Sequence, residues 1–234
     1  MTPAAVHAGN ELAQHGICFR DNVGWDITDV LLDIPSFRSD QEASVETLLA
    51  SLPQTVTIWG GNLHHPALDR FQCRDLLHYE PYLQHNASIT AECTATLVSS
   101  MRKANPLNTT VLILGWGRIS KYLSALLDQH GYTVIVSARK IRDLEEISRL
   151  GYWSVDTYKL HPILSQCSLI INTVPAMILP ESPDGILKID LASVRGIAGD
   201  DVLWARGLPG IYAPEKSGKL IAETILGILK EETK

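Results

Sequence analysis

The chain has 234 residues, enough for one large domain or two small ones. Its 45% hydrophobic and 20% charged fractions describe an ordinary globular protein, and a net charge of −6 offers nothing to nucleic acid or to an anionic membrane. Four cysteines (Cys18, Cys73, Cys93 and Cys167) lie far apart with no Cys-x-x-Cys pair, which argues against a disulfide framework or a zinc ribbon and predicts reduced thiols in a cytoplasm.

Residues 1–14 are polar, without the apolar segment of a signal peptide, and no apolar run reaches the length of a membrane span. Residues 15–19 read as a short strand. The apolar run 30–34 is closed by Pro35. Residues 45–52 carry helical spacing and stop before Pro53. Residues 55–59 form a β-branched strand broken by Gly60 and Gly61. Such alternation predicts a small α/β unit. Residues 80–86 read as a last strand or as a connection. Residues 90–104 read as a helix with Ala91, Ala95, Leu97, Val98 and Met101 on its apolar side, stopped by Asn105 and Pro106. The domain boundary falls near residue 107.

The next stretch carries the strongest signal. Val111 to Leu114 are four apolar residues that end in Gly115-Trp116-Gly117-Arg118-Ile119-Ser120. An amphipathic run follows over 121–130, then a second strand over 133–136 that ends in Ser137-Ala138-Arg139-Lys140. Strand, glycine turn, helix and strand in this order are the context of a dinucleotide fingerprint. Gly115 permits the tight turn. Gly117 lets backbone N–H groups approach a pyrophosphate at a helix N-terminus. Ser120, a small residue, stands at the third glycine position. Dinucleotide sites for NAD place Asp or Glu after the second strand, to accept from the ribose 2′-hydroxyl. Here Ser137, Arg139 and Lys140 stand there, and a hydroxyl with two cations suits a 2′-phosphate. The expected cofactor is NADP(H).

Beyond this, residues 141–150 read as a helix, 152–155 as a strand and 158–165 as a short helix. Residues 169–172 are a buried strand running into Thr173-Val174-Pro175-Ala176. Residues 186–190 and 202–204 are further strands. Residues 207–210 read as a rigid turn, and 216–231 as a closing helix. The expected fold is α/β: an NAD(P)-binding Rossmann domain with a smaller N-terminal α/β domain and a nucleotide cleft between the two lobes. The expected boundaries are 1–88 for the N-terminal substrate-side domain, 89–106 for a bridging helix, 107–214 for the Rossmann domain, and 215–234 for a helix packing back toward the N-terminal domain.

Five segments carry a resemblance. They are Leu-Gly-Trp-Gly-Arg (114–118), Ser-Ala-Arg (137–139), Ile-Asn-Thr-Val-Pro-Ala (171–176), Ile-Asp-Leu-Ala-Ser (189–193) and Gly-Leu-Pro-Gly-Ile-Tyr-Ala-Pro (207–214). In order and spacing the chain resembles the family of the dipicolinate synthase A subunit, over residues 80–232 and weakly before. The segment Asn86 to Glu92 is similar to the family's Asn-x-x-Pro-Thr-x-Glu, with Ile89 in place of proline. The family's Ala-Ser-Arg-Pro-Gly-Gly becomes Ala192-Ser193-Val194-Arg195-Gly196-Ile197, which moves the arginine by one position. The segment 193–207 is shorter than in the family and is expected to lack a helix. The family's opening strand and turn have no counterpart here, so the resemblance implies a shortened first domain.

The resemblance implies oxidation of a dihydrodipicolinate-type ring by hydride transfer to NADP⁺, in the context of spore formation. It also implies a partner, a flavoprotein-like B subunit, and a homo-oligomer is expected. Two alternatives stand beside it: a dehydrogenase for another small carboxylate, and a non-catalytic NADP(H)-binding module. Thr173, Val174, Pro175 and Leu191 follow strands at the rim where a nicotinamide would lie, beside Gly115, Trp116, Gly117, Arg118 and Ile119. Asp190 ends a strand there, to orient a ligand or to cap a turn. Ser193 and Arg195 follow it, and a guanidinium binds carboxylates bidentately. Thr90 and Glu92 are read as opening the bridging helix, where N–H groups favour a carboxylate. Glu92 is either a proton acceptor or a complement to the helix dipole. Lys216 opens the last helix, as a cleft-closing cation or a solvated side chain. Adjacent His64 and His65 share no face of a strand or helix, and no metal is expected.

Overall fold

A computed structural model describes residues 2–20, 24, 26–37, 41–101, 108–181 and 183–232. These residues form two units, Ala87–Leu208 and the pair of segments Met1–Asn86 with Pro209–Lys234.

The 87–208 unit is a six-stranded parallel sheet. Its strands are β4 (Thr110–Leu114), β5 (Thr133–Ala138), β6 (Trp153–Asp156), β7 (Leu169–Asn172), β8 (Leu187–Asp190) and β9 (Val202–Trp204). The spatial order is β6-β5-β4-β7-β8-β9. That is the 3-2-1-4-5-6 order of a dinucleotide-binding sheet, and the switch point lies between β4 and β7. The two strands at that point carry unbroken apolar runs, as expected of strands covered on both faces: Val111 to Leu114 and Leu169 to Ile171 are fully buried. Helix α4 (Arg118–Gln129) returns from β4 to β5 and buries Ser120, Leu123, Ser124 and Leu127, a stripe at helical spacing. Helix α5 (Ile141–Arg149) returns from β5 to β6, and the single-turn helix α6 (His161–Leu164) precedes β7.

The other unit holds a three-stranded parallel sheet of β1 (Asp29–Leu31), β2 (Thr57–Gly60) and β3 (Gln72–Asp75), in that order. Helix α2 (Glu42–Ser51) contributes Leu49 to a core with Leu32, Leu52, Val56, Ile58, Leu63, Leu68 and Phe71. Helix α1 (Pro3–Gln14) packs against α8 (Pro214–Glu232). The two approach closely through small residues. A Cβ built on Gly218 would stand 2.6 Å from the Ala4 carbonyl oxygen and 2.7 Å from the Ala8 amide nitrogen. Among the described residues no helix is long and apolar enough to cross a membrane.

Several elements differ from the sequence reading. Residues 15–19 form no strand. Leu12 closes onto the amides of His15 and Ile17, and the chain leaves α1 without a sheet partner. Helix α1 is not foreseen in the sequence; Thr2 caps it and Pro3 fits its first turn. Residues 80–86 are neither strand nor connection but the first turns of α3 (Glu80–Met101), whose early Pro81 costs no helix bond. Ile89, unlike a proline, keeps its amide, and the helix runs on through Thr90. The end expected at Asn105 and Pro106, and the boundary near 107, lie outside the described residues. Gly207 has a positive φ of 65°, but residues 208–210 are not a turn; they begin the short helix α7 (Leu208–Tyr212).

Candidate functional site

In an open parallel sheet the loops beyond the carboxyl ends of the strands form the ligand-binding rim, at the switch point. Here Leu114 pairs with Ser137 and with Asn172, Asn172 with Asp190, and Asp190 with Trp204. These five residues stand level, one per strand, and the loops that follow them carry the expected site residues from Gly115 to Arg195.

Gly115 is the hinge of the fingerprint. Its φ is +98°, a region that L side chains rarely adopt. Its amide donates to the Ser137 carbonyl at 3.0 Å. A Cβ here would run into the Val174 side chain and stand 3.0 Å from Thr173 Oγ1. The first glycine is therefore required by protein packing. The second is not: a Cβ on Gly117 would meet no atom within 4 Å. Gly117 is exposed and is the N-cap of α4, without a side-chain cap. An open backbone surface at a helix N-terminus fits a pyrophosphate. Ser120 is fully buried where α4 crosses the sheet, the close-packing role of the third fingerprint position.

Trp116 is half-buried. Its ring meets Tyr152 edge-on at 6.4 Å, and Lys121 Nζ lies 5.3 Å from its centroid. Lys121 also pairs with Glu146 at 2.7 Å and holds that carboxyl below its ordinary range. Arg118 is exposed at the first helical position and Ile119 is half-buried.

At the end of β5 the structure divides the three expected phosphate ligands. Ser137 is fully buried, and its hydroxyl accepts from Thr157 Oγ1 at 3.3 Å, because the strand is covered on both faces from Val134 to Ala138. Arg139 and Lys140 are both exposed, and Lys140 is the uncapped N-cap of α5.

The loops after β7 and β8 are built around one carboxylate. Asp190 Oδ1 accepts from Asn172 Nδ2 at 2.9 Å and from the Ala192 amide at 3.0 Å. Its Oδ2 accepts from the amides of Gly196 at 2.7 Å and Ile197 at 3.2 Å. Asp190 is fully buried, so its charge is spent on holding these loops rather than facing a ligand. Asn172 completes the turn: Nδ2 donates to the Val174 carbonyl at 2.9 Å and Oδ1 accepts from the Val174 amide at 3.0 Å. Thr173 is locked as well, its hydroxyl donating to the Leu114 carbonyl at 2.8 Å. Pro175 is exposed, and Leu191 is buried with its amide on the Asn172 carbonyl.

Ser193 and Arg195 are exposed beyond Asp190. Arg195 lies over the Trp204 ring at 5.0 Å, and Arg206 reaches the same ring at 5.0 Å. The Trp204 indole donates to the Ala192 carbonyl at 2.9 Å, which fixes its plane. Sequence reasoning misses Asn172, Trp204 and Arg206. The β7–β8 register sets Asn172, inside the 171–176 segment, beside Asp190; the β8–β9 register brings Trp204, with Arg206 just beyond it, and no local motif signals those two.

The carboxylate site expected at a helix start does not form at Thr90 and Glu92. Both lie well inside α3, where amides are used by the helix itself; Thr94 Oγ1 donates to the Thr90 carbonyl at 2.7 Å. Lys216 is exposed in the first turn of α8 and belongs to the other unit.

No protein-family model matches the chain. The dipicolinate synthase A subunit of Bacillus subtilis strain 168 is 29% identical over 160 residues, covering 63% of this chain. The match spans 54% of that relative's length, little more than half. Among solved structures, the dipicolinate synthase A subunit from Bacillus halodurans superposes with a TM-score of 0.79 at 20% identity, over 97% of this chain and 94% of that one. The dipicolinate synthase A chain from Bacillus subtilis gives a TM-score of 0.71 at 22% identity, over 92% and 82%. The rim around Asp190 is thus carried on a two-unit Rossmann fold, in a chain that has diverged from the dipicolinate synthase A subunit while still resembling it.

Proposed function

We propose that the chain is an NADP(H)-dependent oxidoreductase acting on a small ring carboxylate of the dihydrodipicolinate type. The observation that carries the cofactor is the end of β5. Arg139 and Lys140 are exposed there, beside the open backbone at Gly117, and no Asp or Glu occupies residues 137–140. A carboxylate at that place would repel a 2′-phosphate, whereas two cations attract it. NADP⁺, when bound, supplies a hydride acceptor; the protein has to orient the ring, keep it dry and let one proton leave. Thr173, Val174 and Pro175 form a turn fixed by Asn172 and Leu114, so their backbone offers a preorganised wall to a nicotinamide. Asp190 acts as a positioning residue.

The substrate side of this reading rests on Arg195, Trp204 and Arg206. Trp204 holds two guanidinium groups together over its ring, and that pair offers two carboxylate partners to a ring bearing two carboxylates. The relative's name marks it as one component of an assembly, and a flavoprotein-like second component is part of this same proposal.

The test is titration of the purified chain with NADP⁺ and NAD⁺, followed by Arg139→Asp. The expected result is tighter binding of NADP⁺, with the preference reversed in the variant. Unchanged NADP⁺ affinity in Arg139→Asp overturns the cofactor assignment. Pyridine-2,6-dicarboxylate should raise the melting temperature only with NADP⁺ present. Stabilisation by nucleotide alone would instead favour the non-catalytic module.

A further inference from the structure

The 1–86 segment carries a side-chain cluster that the nucleotide site does not use. His64, Asp75 and His78 each bring a donor atom to one place, and these atoms all lie within 4.8 Å of one another. The sequence separates them, and the small parallel sheet joins them. Gly60 pairs with Asp75, so the loop after β2 and the turn after β3 leave the sheet side by side at its carboxyl edge. Asp75 caps a 3₁₀ turn, Leu76–His78. Three residues per turn bring i and i+3 into line, which puts His78 on the side of Asp75. His64 arrives from the other loop, with its ring centroid 5.5 Å from that of His78 and the planes tilted by 54°.

The carboxylate is already fixed in place. Asp75 Oδ1 accepts from the amides of Asn62 at 3.2 Å and Leu77 at 2.9 Å, and Oδ2 accepts from the amide of Leu63 at 2.8 Å. Oδ2 retains a lone pair. Asn62 adopts φ +60°, a conformation seldom found outside glycine, and it delivers His64 two residues later. Both rings are exposed, and among the described residues neither makes a hydrogen bond or ion pair. The neighbouring His65 behaves in the opposite way. It stacks on Phe37 at 4.2 Å, lies 3.3 Å from Glu42 and 3.7 Å from Glu46, and accepts from the Ala67 amide. Of the two adjacent histidines, one is built into the fold and one is presented to solvent.

We propose that His64, Asp75 and His78 form a site for a divalent transition cation, zinc foremost. Two imidazoles and one carboxylate are the donor set that Zn²⁺, Co²⁺ and Ni²⁺ take in sites that keep positions open to water or ligand. Calcium and magnesium, which require a cage of oxygens, are not suited to it. Exposure of both rings leaves room for those open positions on the solvent side. The proposal stands apart from the nucleotide reading and does not depend on it.

The test uses the full chain after chelator treatment. Isothermal titration with ZnCl₂ should show one cation per chain, and Co²⁺ should develop visible d–d absorption. His64→Ala and His78→Ala change exposed side chains and should leave the circular dichroism spectrum unaltered. Each should weaken Zn²⁺ binding by more than the ~10–100-fold that follows loss of an outer-shell partner. Each should also abolish the cobalt spectrum. His161→Ala, in the other unit, should retain both. Absence of stoichiometric binding, or binding that survives both His64→Ala and His78→Ala, overturns the proposal.

Discussion

Gly115 and Gly117 sit two residues apart, and alanine at each should act on a different property. At Gly115 an alanine meets two costs. Its φ of +98° is one that L residues avoid, at about 1–2 kcal/mol. Its methyl would collide with the Val174 side chain, which must shift at an overpacking cost of about 1–3 kcal/mol. Together these predict a loss of about 2–5 kcal/mol in unfolding free energy. Gly117 has φ −90° and ψ −173°, extended backbone open to any residue, with no atom within 4 Å of the new methyl. Alanine there should change stability by no more than about 1 kcal/mol, because the gain of about 0.4–1 kcal/mol from a less flexible unfolded chain is offset by alanine being a poorer N-cap than glycine. Its effect should fall on the nucleotide. A methyl on the open cradle separates the pyrophosphate from the amides, and a steric cost of ~1–3 kcal/mol is a loss of about 5–150-fold in affinity. Urea unfolding of the free protein measures the first quantity, and titration with NADP⁺ the second. If Gly117→Ala destabilises as much as Gly115→Ala, the division of roles is wrong. If Gly117→Ala binds NADP⁺ as tightly as the parent, nothing is held against that backbone.

Two further outcomes follow. Asp190→Asn should destabilise the chain by about 3 kcal/mol or more, because an amide nitrogen must then face donors that bonded a charged group; a urea midpoint within error of the parent would show that the loops hold themselves. Burial pushes the Cys167 thiol from 9.0 up to about 11. The folded chain therefore keeps a proton that the unfolded chain loses, so this contribution to stability is complete below pH 9.0 and is lost as pH rises through about 11. Urea midpoints across that window should fall, and Cys167→Ala should flatten the trend; an equal slope in the variant would assign it to other groups.

The Rossmann unit is legible in the sequence because its signals are local. The buried central strands are unbroken apolar runs, and the stripe of α4 repeats at helical spacing. The other unit is harder. Helix α1 buries Ala4, Ala5, Ala8 and Gly9 with one large apolar residue, Leu12, too little to raise an apolar periodicity. Strand β3, Gln-Cys-Arg-Asp, is an edge strand with no fully buried residue, so nothing in its composition marks it. The start of α3 reads as Thr90 instead of Glu80, because a proline at 81 masks a first turn that tolerates it. At the rim, Gly115 and the turn at 173–176 are readable from spacing. The commitment of Asp190 to four donors is not, since three of those donors are backbone amides, from residues two, six and seven positions on. The pairing of Arg206 with Arg195 around Trp204 depends on which strand lies at the sheet edge, and the chain alone does not declare it.

The α1–α8 contact has a consequence for biosynthesis. Every strand of the 87–208 unit precedes α8 in the chain, so that sheet can close without it. The three-stranded unit, by contrast, stays without one of its walls until the residues around Gly218 emerge. Through that interval the Ala4 and Ala8 face of the first helix is uncovered and open to chaperones, and a released chain truncated before residue 214 should be cleaved by protease there while its 87–208 unit resists.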